Sequence, residues 1–248
     1  MTAKSIHGNS PEEIRLALEQ SLSDDFTPTL AIVFISIKQD RKAVSTMLDK
    51  MGIDVIGATS AGEFTDGHQS EGASVIMLLD IPKEEYSIFF ETIGDGSSEV
   101  TARQLGEVAL RQFNHPAIIF CSTFLSAEGI AIDGETLMRN IENVVGSQVN
   151  IFGGMAGDDL SFTGSYVFTN NDATDYGLVA LIVDADKIAM QGMAISGWKP
   201  MGISRTITKS EGNLIYTIDD KPALETYMRF LGGDLSTADD NFNFFDSI

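Results

Sequence analysis

The sequence predicts an α/β fold built from two pseudo-repeated strand-helix-strand-turn-strand-strand units, with mixed, largely buried sheets. Three observations predict it. Short apolar runs bounded by turn residues alternate with amphipathic stretches of helical length, the pattern of buried strands joined by helices. A strand, a small-residue turn and an acid occur twice, as "VIGATSAGEF" (55–64) and "IFGGMAGDDL" (151–160). The strand before each of these also has a counterpart. "TPTLAIVFIS" (27–36) and "HPAIIFCST" (115–123) each carry a proline and then a buried strand ending in hydroxyls.

Residues 1–27 are expected to form an N-terminal helix. "SPEEIRLALEQSL" (10–22) has Ser10 as N-cap, Pro11 at the first helical position and Glu13 three residues after the cap. Ile14, Ala17, Leu18 and Leu22 give it one apolar stripe. A continuous apolar strand follows at 29–35, and a helix near 39–51 with Val44, Met47 and Leu48 on one face. The strand "DVIGA" (54–58) leads into the first turn. Strands are expected at 73–80 ("ASVIMLLD") and 86–93 ("YSIFFETI"), and a helix at 97–113.

The pattern then restarts. After the strand at 115–123, "GETLMRNIENVVG" (134–146) reads as a helix and "VNIFGGMAGDDL" (149–160) as strand plus turn. "VALIVD" (179–184) echoes "VIMLLD" (75–80), and "KIAMQGMAISGW" (187–198) echoes "YSIFFETIG" (86–94). Pro28 and Pro116 are 88 residues apart, Gly62 and Gly157 are 95 apart, and Val75 and Val179 are 104 apart. That drift is what lengthening loops produce in a duplicated chain, and the repeats are placed at 28–94 and 116–198.

Composition bounds the function. At 248 residues the chain is long enough for one large domain, or one and a fraction. With 43% hydrophobic and 21% charged residues it is a globular composition and not a disordered one. The formal charge of −20, from 16 basic and 36 acidic residues, opposes nucleic acid and anionic membrane surfaces as partners. The single cysteine, Cys121, excludes an intrachain disulfide or a cysteine-based zinc site and reads as a small core hydrophobe. Apolar runs such as "LAIVFISI" (30–37) fall short of the ~20 residues of a membrane helix, and the N-terminus lacks a signal-peptide core. The expectation is a cytoplasmic protein with no membrane insertion.

The twin turns carry the chemistry. Each leaves the carboxyl end of a strand, the edge where ligands of α/β sheets collect. The small residues Gly62, Gly154 and Gly157 allow close approach to the backbone, whose amides hold anions. Thr59 and Ser60 add hydroxyls, and Glu63, Asp158 and Asp159 add carboxylates for an ammonium group. The ligand-binding candidates are therefore Thr59, Ser60, Gly62, Glu63, Gly154, Gly157 and Asp158, and a small zwitterion such as an amino acid suits them. The plainer alternative is that the glycines merely permit turns and the acids face water.

No catalytic residue is assigned. "GATSAG" is not the G-x-S-x-G elbow, its serine lying one residue too far along. A small-molecule serine hydrolase with Ser60 or Ser122 as nucleophile and His68 as base is a third reading. Phosphate-loop and dinucleotide fingerprints are absent. His7, His68 and His115 show no metal-ligand spacing, so no metal is assigned, although His68 could serve as an axial haem ligand. Trp198 and Arg205 follow the second repeat and could reach a pocket, Trp198 reading first as a buried aromatic.

The two turns, together with "LIYTIDDKPALETYMRFLG" (214–232), resemble the FIST sensory domain family over roughly 28–231. The last phrase, with Tyr216, the Asp219–Asp220 pair and "KPALE" opening a helix, is similar to the passage from the N-terminal FIST module to its C-terminal partner. The resemblance implies a ligand-sensing domain at 28–215 and the start of a C-terminal FIST part at 216–248. Only fifteen residues follow "KPALETYMRFLGG", so that part is expected to be truncated. It further implies bacterial signal transduction in the cytoplasm. A small ligand would be sensed without a required cofactor. The output would pass to a histidine kinase, chemotaxis receptor or cyclic-di-GMP enzyme. Part of the family resembles haem-based nitric oxide sensors, which makes haem at His68 the second reading.

Overall fold

The computed structural model describes residues 1–22, 25–65, 67–94, 96–193, 197, 199–200, 202–211 and 214–231. The chain divides into two units, Met1–Met193 and Ala194–Ile248. The first begins with β1 (Thr2–Gly8), α1 (Pro11–Ser21), β2 (Leu30–Ser36), α2 (Arg41–Lys50) and β3 (Asp54–Ser60). A short hairpin of β4 (Glu63–Thr65) and β5 (His68–Ser70) precedes β6 (Ser74–Asp80). Next come β7 (Tyr86–Thr92), α3 (Ser98–Gln112), β8 (Pro116–Ser122), α4 (Gly134–Val145) and β9 (Ile151–Met155). The unit closes with β10 (Val167–Phe168), β11 (Ala173–Thr174) and β12 (Gly177–Asp184). The second unit holds β13 (Ile207–Glu211), β14 (Leu214–Ile218), β15 (Lys221–Pro222) and α5 (Ala223–Leu231).

The helices start where their caps dictate. The Ser10 hydroxyl accepts from the Glu13 amide at 3.2 Å, and the Glu13 carboxylate accepts from the Asn9 amide at 2.8 Å. Asp40, Ser97 and Asp133 cap α2, α3 and α4 in the same way. Each cap satisfies amide donors that the first helical turn leaves unpaired.

Two sheets form the core of the first unit. One has the order β1-β6-β2-β3-β10-β11, the other β7-β12-β8-β9. They pack face to face through Leu30, Ile56, Ala58 and Leu79 on one side and Ala117, Cys121, Val179 and Leu181 on the other. The outer face of the first sheet is covered by Ile14 and Leu18 of α1 and Val44 and Leu48 of α2. Leu105 of α3 and Leu137 and Ile141 of α4 cover the second. Burial on both faces is why these strands read as unbroken apolar runs and not as alternating ones.

The first four strands of the larger sheet and the four of the smaller share one arrangement. In each, an antiparallel pair (β1 with β6, β7 with β12) continues through a second antiparallel partner (β2, β8) to a parallel strand (β3, β9). This corrects two expectations. Residues 1–27 hold the strand β1 as well as a helix, and β1 lines the edge of the first sheet. The strand at 86–93, expected to close the first unit, is β7 and pairs with β12 from Tyr86↔Val183 to Thr92↔Gly177. Its place in the second sheet corresponds to that of β1 in the first. The strand expected at 187–198 does not form over Lys187–Met193, and Ala194, Ile195, Ser196 and Trp198 lie outside the described residues. The reason is long-range: a 3-10 turn at Lys83–Glu85 carries the chain out of the first sheet, and β7 finds its partner nearly a hundred residues later.

In the second unit, β14 pairs with both β13 and β15, and α5 opens directly after Pro222. The boundary expected at 215/216 falls inside β14. Arg205 belongs to this unit, where its guanidinium donates to the Asp219 carboxylate at 2.8 Å and lies over the Phe230 ring. Among the described residues no helix is long and apolar enough to cross a membrane.

Candidate functional site

The parallel pairs β2–β3 and β8–β9 end on the same side of the first unit, and a cavity of about 440 Å³ opens between the two sheets there. Its walls come from both turns: Ala58, Thr59, Ser60 and Ala61 from the first, Gly153, Gly154, Met155 and Gly157 from the second. Phe34 of β2 and Ile119 and Cys121 of β8 complete it. The volume lies within the usual range of small-molecule sites, ~300–1,000 Å³. A larger groove of about 690 Å³ runs along α1 and α2, but its walls are charged side chains and methionines on the outer helical surface, such as Lys42, Lys50 and Met47.

The two turns are bonded to each other. The Gly157 amide donates to the Thr59 carbonyl at 2.9 Å, and the Asp159 amide to the Ser60 carbonyl at 3.2 Å. This contact explains one glycine. A Cβ on Gly157 would lie 2.8 Å from the Ala61 nitrogen and 3.0 Å from the Ser60 carbonyl carbon. Gly154 differs: a Cβ there would meet nothing within 4 Å, because it would point into open space. Gly62 serves a third purpose. Its φ of +100° is the left-handed region that glycine enters freely, and it turns the chain into the β4–β5 hairpin.

The acids at the turns hold protein groups. Glu63 is 2% exposed, and its carboxylate accepts from the Ser60 hydroxyl at 2.6 Å and the Ala73 amide at 3.0 Å. The Asp158 carboxylate accepts from the Thr163 and Gly164 amides at 2.8 and 3.2 Å. Asp159 accepts from the Ser36 hydroxyl at 2.6 Å and lies 3.5 Å from the Lys38 ammonium. These bonds brace a loop in which Asp159, Leu160 and Phe162 all have left-handed φ, between 52° and 58°. Such angles cost non-glycine residues about 1–2 kcal/mol each, so the loop needs its braces.

Of the seven candidates, Thr59, Ser60, Gly154 and Gly157 line the cavity; Gly62, Glu63 and Asp158 stand beside it. The Thr59 hydroxyl is engaged, accepting from the Tyr166 amide at 2.8 Å. The sequence reading missed Phe34, Ile119 and Met155 as walls and placed Cys121 in the core alone. The available signal was position for Phe34, Cys121 and Met155, which sit at or near the carboxyl ends of β2, β8 and β9, whereas Ile119 lies at the middle of β8 and gave no such signal.

The alternatives find no geometry. The Ser60 hydroxyl proton goes to Glu63, and Ser122 is fully buried. His68 is the hydrogen-bond partner of neither serine among the described residues. Its ring stacks on His7, centroids 4.5 Å apart, out on the exposed hairpin. Among the described residues no histidine lines the cavity, so the residues at the turns do not fit a haem there. Among the described residues, no three His, Cys, Asp or Glu side chains gather as metal ligands.

Two electrostatic features mark the site and its surroundings. Burial pushes the Cys121 thiol up to about 11, so it stays neutral at physiological pH. At the far end of β8, His115 is raised by its hydrogen bond to Asp186, at 2.9 Å.

The comparisons with known proteins agree with the sequence motifs. The chain is 24% identical over 212 residues to the uncharacterized protein MJ1623 of Methanocaldococcus jannaschii, an alignment that covers 81% of this chain and 40% of that relative. The chain thus spans less than half the length of the curated relative it matches. Residues 29–221 match the FIST N domain, a stretch running from the start of β2 through both turns to the "DDK" that precedes α5. The match covers most of the chain and both turns, and the protein belongs to the FIST family of signal-transduction sensory domains.

Proposed function

We propose that this domain senses a small ligand held in the cavity between its two sheets, and that Thr59, Ser60, Gly154 and Gly157 form the contact surface. The observation that carries the reading is the hydrogen-bonded junction of the two turns at the rim of that cavity. A ligand seated there touches both sheets, so it favours whichever relative arrangement it contacts best, and a sensor works only through such differential affinity. Gly62, Glu63 and Asp158 then act by shaping the turns. The shared strand order supports reading the sheets as duplicated units, at about 2–80 and 86–184. The signal passes to an output partner of the histidine kinase, chemotaxis receptor or cyclic-di-GMP enzyme type in the cytoplasm.

The test is a thermal-shift screen of amino acids, short carboxylates, alcohols and indoles, followed by hydrogen-exchange mapping of every compound that raises the melting temperature. Mass action requires a bound compound to stabilise the folded state. Protection of Thr59–Ala61 and Gly153–Gly157 together supports the proposal. Protection elsewhere, or no stabilising compound in the panel, refutes it.

A further inference from the structure

The cavity's lining says what class of ligand it takes. It is lined by Phe34, Ala58, Ala61, Ile119, Cys121 and Met155, with the glycine backbone of β9, Gly157 and two hydroxyls. The carboxylates that could pair with an ammonium are held elsewhere. Glu63 accepts from Ser60 and Ala73, Asp158 from Thr163 and Gly164, and Asp159 from Ser36. Among the described residues no lysine, arginine or histidine lines the cavity to meet a carboxylate. The amides of Thr59 and Gly157 already donate across the junction, to Tyr166 and Thr59. A zwitterion seated here gains no side-chain counter-charge from the lining, whereas a neutral molecule gives up no charge hydration.

The Ser60 hydroxyl offers a ligand one polar contact. The Ser60 hydroxyl gives its proton to Glu63, so its oxygen keeps lone pairs that can accept a bond. Thr59 has its hydroxyl paired with Tyr166. We infer that the site takes a small neutral molecule with an apolar ring or chain and one hydrogen-bond donor at its tip, as in a phenol, an indole or a medium-chain alcohol. The donor meets Ser60, and the apolar body lies among Phe34, Ile119, Cys121 and Met155. This rests on the reading of the cavity as the sensing site and narrows the expectation of an amino acid.

Gly154 provides the probe of the cavity. A side chain there enters open space, and its backbone is outside the left-handed region. Gly154→Leu therefore adds an apolar side chain at the cavity wall, and its Cβ displaces no neighbour. Phe34, 42% exposed, allows a second variant, Phe34→Asp, which sets a charge in the apolar wall. Binding of N-phenyl-1-naphthylamine, a neutral diarylamine with one N–H, is followed by its fluorescence. Competition is then measured with indole and with tryptophan, which carry the same ring without and with the two charges respectively.

The expected result is saturable binding to the wild type, weakened about tenfold or more in both variants. Circular dichroism should show both folded, and indole should displace the probe where equal tryptophan does not. Displacement by tryptophan at least as effective as by indole leaves the cavity as the ligand site and overturns the neutral class. Absence of saturable binding, or binding indifferent to both variants, overturns the cavity itself.

Discussion

Gly157→Ala tests the junction on which the site reading depends. The added methyl would sit 2.8 Å from the Ala61 nitrogen, 2.9 Å from the Ala61 Cβ and 3.0 Å from the Ser60 carbonyl carbon. These are backbone or one-carbon neighbours, with no flexible end to swing aside. The turns must part, and overpacking of this kind costs about 1–3 kcal/mol. Parting also stretches the Gly157–Thr59 and Asp159–Ser60 bonds, 2.9 and 3.2 Å long, each contributing about 1 kcal/mol. The sum is roughly 3–5 kcal/mol, or about 6–20 °C in melting temperature for a unit of this size. Gly154→Ala, three residues earlier, is the control: its methyl meets nothing within 4 Å, and losing a strand glycine should be neutral or stabilise by up to about 1 kcal/mol. Urea melts followed by far-ultraviolet circular dichroism measure both. If Gly157→Ala falls within about 0.5 kcal/mol of the wild type, or if Gly154→Ala costs more, the described junction is wrong.

Two further outcomes follow from the same geometry. Glu63→Ala should destabilise by about 2–3 kcal/mol, because it strands the buried Ala73 amide and frees the Ser60 hydroxyl, while Glu63→Gln should cost less. A Glu63→Ala protein as stable as the wild type in urea would contradict the bracing role. Cys121 gives a pH dependence. Its native thiol is pushed up to about 11, above the unfolded value near ~8.5, so the native state holds the proton more tightly. The corresponding stability is complete below pH ~8.5 and is lost as pH rises through about 11, roughly 3 kcal/mol in all. Cys121→Ala should flatten that part of the alkaline slope relative to wild type, and identical slopes would show that the thiol does not sit in an apolar wall.

The elements were legible where their signals are local. Ser10, Pro11 and Glu13 announce α1 within four residues, and an apolar run with burial on both faces announces β2 or β8 within seven. The small-residue turns after β3 and β9 were legible as a matched pair, and with "DDKPALE" they carry the family resemblance. β1 was not legible, because "TAKSIHG" is largely polar and becomes a strand only by pairing with β6. Nor was the sheet that β7 joins, since its partner β12 lies far along the chain.

The sequence by itself therefore determined the helices and their starts, the buried strands, the repeated turn and the family. These depend on capping, periodicity and backbone freedom, each read over a few neighbouring residues. Only the tertiary structure decided what the turns do. Gly62, Gly154 and Gly157 look alike in sequence, yet one turns the chain, one opens onto the cavity and one is pressed against Ala61. Glu63 and Asp158 look like ligand carboxylates, yet each is engaged by protein donors. A carboxylate's role depends on which donor reaches it, and that is settled when the two sheets bring their turns together.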